Sequence, residues 1–256
     1  MPAPRLGLHA LTFAPVPRFF IAGPLVSGAR IELPEDAARH ARVLRLRAGD
    51  MIVLFDGSGG EFPARIVAAG RDGVTADVGE RADVERESPL AVTLVQGISS
   101  GERMDTTIQK AVELGVAAIW PVFAARSQAR LDERRAAARL AHWRRVAIAA
   151  CEQCGRNRIP PIEPPATVGE CCAKLPQGRL RLLLSPRAGT RLREALASGA
   201  RAIVLAAGPE GGFDESEEEL LGKAGFVPVR LGPRVLRTET AALAAIAALN
   251  TLAGDF

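Results

Sequence analysis

Hydrophobic positions follow two rhythms along this chain, and the change between them divides it. Before Glu85 the apolar runs are short and broken by turn residues. Arg18–Ala22 and Arg30–Leu33 are brief apolar stretches. Asp50–Asp56, Glu61–Ala69 and Val74–Glu80 read as strands, with turns at Gly57–Gly60 and Arg71–Gly73. Glu35–Arg47 reads as a small helix and turn carrying His40 with Arg39, Arg42, Arg45 and Arg47. Short strands joined by glycine turns around one helix predict a compact β-barrel. A barrel this small presents a surface rather than enclosing chemistry. Its arginine cluster reads equally as a solvated helix face or an RNA contact.

Glu85–Pro89 is polar and ends in proline, which places a boundary there. From Leu90 apolar strands alternate with helical patterns. Strand Ala91–Gln96, loop Gly97–Glu102, helix Asp105–Leu114 and strand Ala117–Phe123 come first. Helix Leu131–Ala150 has an apolar stripe at 136, 140, 143, 147 and 150, and carries Arg134, Arg135, Arg139, Arg144 and Arg145 on its other face. After the four-proline loop Gly155–Pro165 come strand Leu180–Leu184, helix Thr190–Leu196, strand Ala202–Ala206, helix Asp214–Ala224 and strand Phe226–Arg230. Helix Glu239–Ala253 closes the chain, with Thr238 placed to cap it. This alternation predicts a parallel sheet with helices on both faces. The expected organisation is a disordered extension over 1–17, a barrel over 18–87 and an α/β domain over 90–256.

Two loops carry candidate chemistry, because ligands in open α/β sheets bind where strands end and helices begin. Gly208-Pro209-Glu210-Gly211-Gly212 has three glycines that let backbone approach a ligand closely. Leu231–Ala241 joins the last strand to the last helix. Neither is a Walker A loop or a Gly-x-Gly-x-x-Gly fingerprint. A helix N-terminus could still take an anion. Glu210 and the acidic run Asp214–Glu219 argue instead for a cationic ligand, such as the sulfonium and amino groups of S-adenosylmethionine. The histidines, His9, His40 and His142, lie outside these loops, and neither a nucleophile–base set nor a metal-ligand cluster is apparent. Chemistry of that kind fits group transfer from an activated donor.

Composition alters this picture little. Hydrophobic residues make up 48% of 256, enough for a packed core, and no apolar run approaches a membrane span. Met1–Pro17 is interrupted by prolines and does not read as a signal peptide, so a cytoplasmic protein is expected. The net charge of +4 is uneven: −1 over 1–88, +5 over 89–160 and 0 over 161–256. Of 33 basic side chains 30 are arginine, which suits phosphate forks but also follows from a codon bias. Cys151, Cys154, Cys171 and Cys172 read as free buried thiols rather than a zinc site or disulfides.

Five stretches in order resemble one family. They are Gly101–Asp105, Gln109–Val116, Cys151–Arg158, Gly208–Gly212 and Leu231–Ala241, with Arg18-Phe19-Phe20 and His40–Arg45 matching its N-terminal part. The chain resembles the ribosomal RNA small subunit methyltransferase E family of the SPOUT superfamily from about residue 18 to its end. The resemblance implies an α/β fold: a SPOUT-type parallel sheet with a trefoil knot, after a small PUA-like β-barrel. It implies methylation of N3 of a specific uridine of 16S rRNA, near the decoding region, in the small ribosomal subunit. It also implies S-adenosylmethionine as cofactor, a homodimer, and neither metal nor membrane. The cofactor residues it implies are Leu184, Ser185, Gly208, Pro209, Glu210, Gly211, Gly212, Leu231, Gly232, Val235, Leu236, Arg237, Thr240 and Ala241. Arg156, Arg237 and Glu239 are the catalytic candidates; Arg18, Arg42, Arg45, Arg103, Arg156 and Arg158 are the RNA-binding ones. A SPOUT methyltransferase acting on another RNA, or a non-catalytic RNA-binding assembly factor, are the alternatives.

Overall fold

The structure, a computed structural model, describes residues 16–71, 73–127, 133–196 and 199–256, and the side chains of all of these but 133 and 134. The extension expected over 1–17 lies almost wholly outside the described residues. The chain divides into two compact units, the first ending at Val84 and the second starting at Glu85.

The first unit is a five-stranded mixed sheet. Its strands are β1 (Arg18–Phe20), β2 (Arg30–Glu32), β3 (Met51–Phe55), β4 (Phe62–Gly70) and β5 (Gly73–Val78), in the order β1-β3-β4-β5-β2. β1 runs parallel to β3 and the other pairs are antiparallel. In β4, Phe62, Ala64 and Ile66 are buried while Pro63 and Arg65 are exposed. That alternation is what a sheet with one wet face requires. The buried face takes Ala37, Ala38 and Ala41 of α1 (Glu35–Val43). α1 ends at Val43, short of Arg47, and Arg45 turns the chain with a φ of 58°.

The second unit is built on six parallel strands. They are β6 (Ala91–Gly97), β7 (Ala118–Phe123), β8 (Ala166–Thr167), β9 (Leu180–Leu184), β10 (Ala202–Ala207) and β11 (Val227–Val229), in the order β11-β9-β10-β6-β7-β8. β6 and β10 pair at the centre and are buried almost throughout, which is why they read as unbroken apolar runs. The chain runs outward from β6 through β7 to β8, then crosses to build β9, β10 and β11 on the other side. The strand order therefore reverses between β6 and β10, and the C-terminal ends there form the crevice where such sheets bind ligands.

The helices are α2 (Glu102–Glu113), α3 (Glu133–Cys154), α4 (Val168–Lys174), α5 (Leu192–Ala195), α6 (Glu215–Lys223) and α7 (Thr238–Ala253). α3 buries Trp143, Ala147, Ala150 and Cys151 and stops at Gly155, whose φ is 90°. β8 and α4 were not expected from the sequence. α4 is opened by a capping box in which Thr167 and Glu170 bond each other's backbone N–H groups. α7 leaves the edge strand β11 yet packs on α2, β10 and β6 near the sheet's centre. Asn250, buried on α7, donates to the Leu114 carbonyl at 2.6 Å and accepts from Ser88 at 2.9 Å. Among the described residues no helix is long and apolar enough to cross a membrane.

Candidate active site

A cavity of about 690 Å³ opens at the C-terminal ends of β9, β10 and β11. Its walls are the 184–187 segment after β9, the 207–213 loop after β10 and the segment from Val229 to Glu239, with Ala241 on α7. Arg103 of α2 and Arg126 of the loop after β7 close it. Thirteen of the fourteen cofactor residues named from the sequence line this one cavity: Leu184, Ser185, Gly208, Pro209, Glu210, Gly211, Gly212, Leu231, Gly232, Val235, Leu236, Arg237 and Ala241. Thr240 points elsewhere: it is exposed and is not in the wall. Sequence reasoning missed Arg126, Phe213, Glu218 and Arg230 as lining residues.

The 208–212 loop is held from three sides. Gly97, at the end of β6, lies so close beneath it that a Cβ there would sit 2.4 Å from Pro209 Cδ and 2.5 Å from Pro209 N. Thr238 donates its hydroxyl to the Gly208 carbonyl and accepts from the buried Gln96 amide at 3.1 Å. Thr238 is thus the first residue of α7 rather than its cap. The cap position is Arg237, without a side-chain capping bond. Thr238's hydroxyl ties β6, the β10 loop and the α7 terminus together instead. On the third side Arg126 donates to the carbonyls of Gly211 and Phe213, both at 3.2 Å. The Arg126 segment is fixed in turn by Glu217 of α6, buried, which accepts from Ala125 N at 2.7 Å.

The electrostatics differ from the sequence expectation. The acidic run does not make the site acidic, because Glu217 is consumed by Ala125 and by the capping box with Asp214. Glu210 accepts from Ser100 N and Oγ at 3.1 Å and from Arg103 at 2.8 Å. Burial pushes the Glu210 carboxyl up. Hydrogen bonds from its own backbone, Ser100 and Arg103 outweigh that and hold it below the usual carboxylate range. Six arginines against three glutamates line the cavity, so its net field is basic. Glu239 is half-buried, with one carboxylate oxygen enclosed and without a hydrogen-bond partner. Arg237, exposed two residues earlier, forms no ion pair with it among the described residues. Two opposite charges stand in one cavity wall, neither neutralising the other.

The remaining candidates are elsewhere, and Arg156 is a correction. It is 3% exposed, and its guanidinium forms a fork with Glu87 and donates to the carbonyls of Val112 and Val116 at 2.9 and 3.0 Å. A fully used, enclosed guanidinium reaches neither an RNA phosphate nor a reacting base, so Arg156 is structural. Arg18 is also enclosed, paired with Glu61 at 2.7 Å and set 5.0 Å from the Phe55 ring centroid. Arg42 pairs with Glu35 at 2.9 Å and Arg158 with Glu85 at 3.3 Å, both at the surface. Arg45 is exposed at its turn. The four cysteines are thiols, and burial together with neighbouring Cys172 pushes Cys171 up to about 12. Among the described residues no group of side chains could hold a metal ion.

Comparison with known proteins bears on this arrangement. Residues 86–250 match a family described as the RNA methyltransferase domain, and residues 33–79 match the RNA methyltransferase PUA domain. The chain is 35% identical over 243 residues to ribosomal RNA small subunit methyltransferase E of Buchnera aphidicola, covering 94% of this chain and 95% of that one. It is 45% identical, with a TM-score of 0.88, to the crystal structure of ribosomal RNA small subunit methyltransferase E from Neisseria gonorrhoeae bound to S-adenosyl methionine. That match covers 94% of this chain and 99% of the other. A Legionella pneumophila protein described as a methyltransferase, in complex with the same cofactor, is 38% identical with a TM-score of 0.90, over 94% of this chain and all of that one.

Proposed function

This chain belongs to the ribosomal RNA small subunit methyltransferase E family, and on that premise we propose that it methylates N3 of one uridine in 16S rRNA of the small ribosomal subunit. The observation that carries the reading is this cavity, backbone-walled and glycine-rich, with Arg237 and Glu239 in its wall and forming no ion pair among the described residues. The residues present fit S-adenosylmethionine. A volume of about 690 Å³ suits a small-molecule site. Leu184, Leu231 and Leu236 offer apolar contact, the 208–212 backbone offers hydrogen bonds, and Glu239 offers an unneutralised carboxylate to a cationic ligand or a proton.

When bound, the cofactor supplies a methyl group on a sulfonium whose sulfur departs as a neutral thioether. The protein does the rest by positioning and electrostatics. N3 lies on the Watson–Crick edge, so the uracil must leave its pairing to reach the cavity. Glu239 takes the N3 proton, and the freed electron pair forms the N–CH₃ bond. Arg237 faces the negative charge spread over O2 and O4 while the proton is leaving. Glu239→Gln keeps the shape and removes the proton acceptor. Turnover should fall about 10²-fold at neutral pH, and part of the loss should return as rising pH ionises the imide without help. Equal loss at every pH would remove Glu239 from proton transfer.

The finer readings rest on the same premise. The first unit presents RNA, and the path from edge strand β11 back to α7 at the sheet's centre supports the knotted crossing expected of the family. Exposed Val235, Leu252 and Phe256 support pairing of two copies. A ribosomal substrate supports a cytoplasmic protein. The deciding experiment is methyl transfer from labelled cofactor to small subunits from cells lacking this gene, with the modified nucleotide mapped. A single N3-methyluridine in 16S rRNA is the expected product. Label in another RNA, or none despite cofactor binding, overturns the assignment.

A further inference from the structure

Four arginines reach the cavity from three places in the chain. Arg187 follows β9, Arg230 follows β11, and Arg234 and Arg237 lie between β11 and α7. Arg187, Arg234 and Arg237 are exposed and Arg230 is half-buried. None of the four makes a side-chain hydrogen bond or an ion pair with another described residue. The arginines to which the sequence pointed for RNA are differently engaged. Arg18, Arg42, Arg103, Arg156 and Arg158 each already hold a carboxylate.

Unneutralised guanidinium groups on one rim repel one another, and an anion that bridges them relieves the repulsion. The single carboxylate of a bound cofactor can engage one such fork. Arg237 has the task of facing the uracil. Arg187, Arg230 and Arg234 still exceed what one carboxylate uses, and their planar forks match phosphate oxygens. A nucleotide entering this cavity carries a phosphate on either side of its ribose. We infer that Arg187 and Arg234, the two exposed ones, clamp the backbone phosphates flanking the target uridine, so that the strand is gripped at the mouth of the cofactor cavity itself. The clamp rests on the rRNA methyl-transfer reading. Phosphate contacts position without specifying; this rim fixes how deep the base enters, and sequence selection comes from other contacts.

The test is binding of a 16S rRNA transcript across a salt series, for the wild type and for the double variant Arg187→Gln/Arg234→Gln. Both side chains are exposed, so the fold is not at stake. Removing two phosphate contacts lowers the slope of log K against log salt by about 1.4, at roughly 0.7 per contact on a single strand. Arg187→Lys/Arg234→Lys keeps the charge count and restores most of the slope. Cofactor affinity, measured by calorimetry without RNA, stays within twofold in both variants. An unchanged slope in the glutamine variant overturns the clamp. So does a loss of cofactor affinity with RNA binding intact, which would give these arginines to the cofactor carboxylate. A wild type that methylates small subunits while the variant's slope is unchanged sinks the clamp alone. A wild type that transfers no methyl group sinks the reading beneath it.

Discussion

Gly97→Ala should remove cofactor binding and most of the activity together. The reason is space, since the backbone at Gly97 does not need the left-handed region. A Cβ would meet Pro209 Cδ at 2.4 Å, Pro209 N at 2.5 Å and Gly208 C at 2.9 Å, which are ring and backbone atoms with no rotamer to yield. Gly97 cannot retreat, because it ends the central strand β6 and pairs with Val122. The loop cannot rise as a unit either. A Cβ on Gly208 would lie 2.9 Å from Gly212 Cα, and Thr238 and Arg126 tie the loop's carbonyls down. Overpacking of this kind costs about 3 kcal/mol. A site displaced by even ~1 Å loses on the order of 10²-fold in turnover. Thermal melting and calorimetry with S-adenosylmethionine check the two halves. Gly169→Ala, on α4 where a Cβ meets nothing within 4 Å, is the control and should lower neither. Wild-type melting and wild-type affinity in the Gly97 variant would show that this contact does not set the loop.

That contact also shows where a sequence stops being informative. The strands β6, β9 and β10 were legible because burial on both sheet faces leaves unbroken apolar runs, and α3 because its stripe recurs at helical spacing. The 208–212 and 231–241 loops were legible as ligand loops because glycine and proline mark strand ends. Thr238 was misread for a specific reason. A threonine just before an apolar helix carries the same signal whether its hydroxyl caps that helix or reaches another loop. Its partners, Gly208 and Gln96, lie 30 and 142 residues away. Arg126 meets Gly211 across 85 residues, so nothing local could place it in the cavity wall. α4 was hidden by Gly169 and two adjacent cysteines, although Thr167-x-x-Glu170 was a readable start signal. Glu210 and the acidic run after it suggested a site for a cationic ligand, yet Asp214 and Glu217 are spent on N–H groups and Glu210 on Ser100 and Arg103, and the cavity they border carries more arginines than glutamates. Local pattern reports which element a residue belongs to. It does not report whether a charge is already used.

Arg156→Ala puts that distinction to a direct test. In sequence Arg156 sits in a polar Gly-Arg-Asn-Arg loop and looks like an RNA contact or a catalytic cation. In the fold it is enclosed, and it joins the 87 region to the end of α2 and the turn after it through Glu87, Val112 and Val116. Burial alone would push the guanidinium down, but the Glu87 carboxylate and the nearby Cys151 and Cys154 raise it, so the charge stays. Truncation strands Glu87 as a carboxylate without its fork and takes the guanidinium donor from the Val116 carbonyl, while the Val112 carbonyl keeps its bond from Gly115 N. Breaking a buried pair from one side costs about 3–5 kcal/mol, which for a unit of this size lowers the melting temperature by roughly 10 °C. Arg156→Lys should recover little, since one ammonium cannot form the fork and also serve both carbonyls. Below its melting temperature the alanine variant should bind S-adenosylmethionine as the wild type does, because Arg156 is not in the cavity wall. A catalytic Arg156 requires the opposite pair of results, melting unchanged and turnover lost in folded protein, and that outcome would return it to the active site.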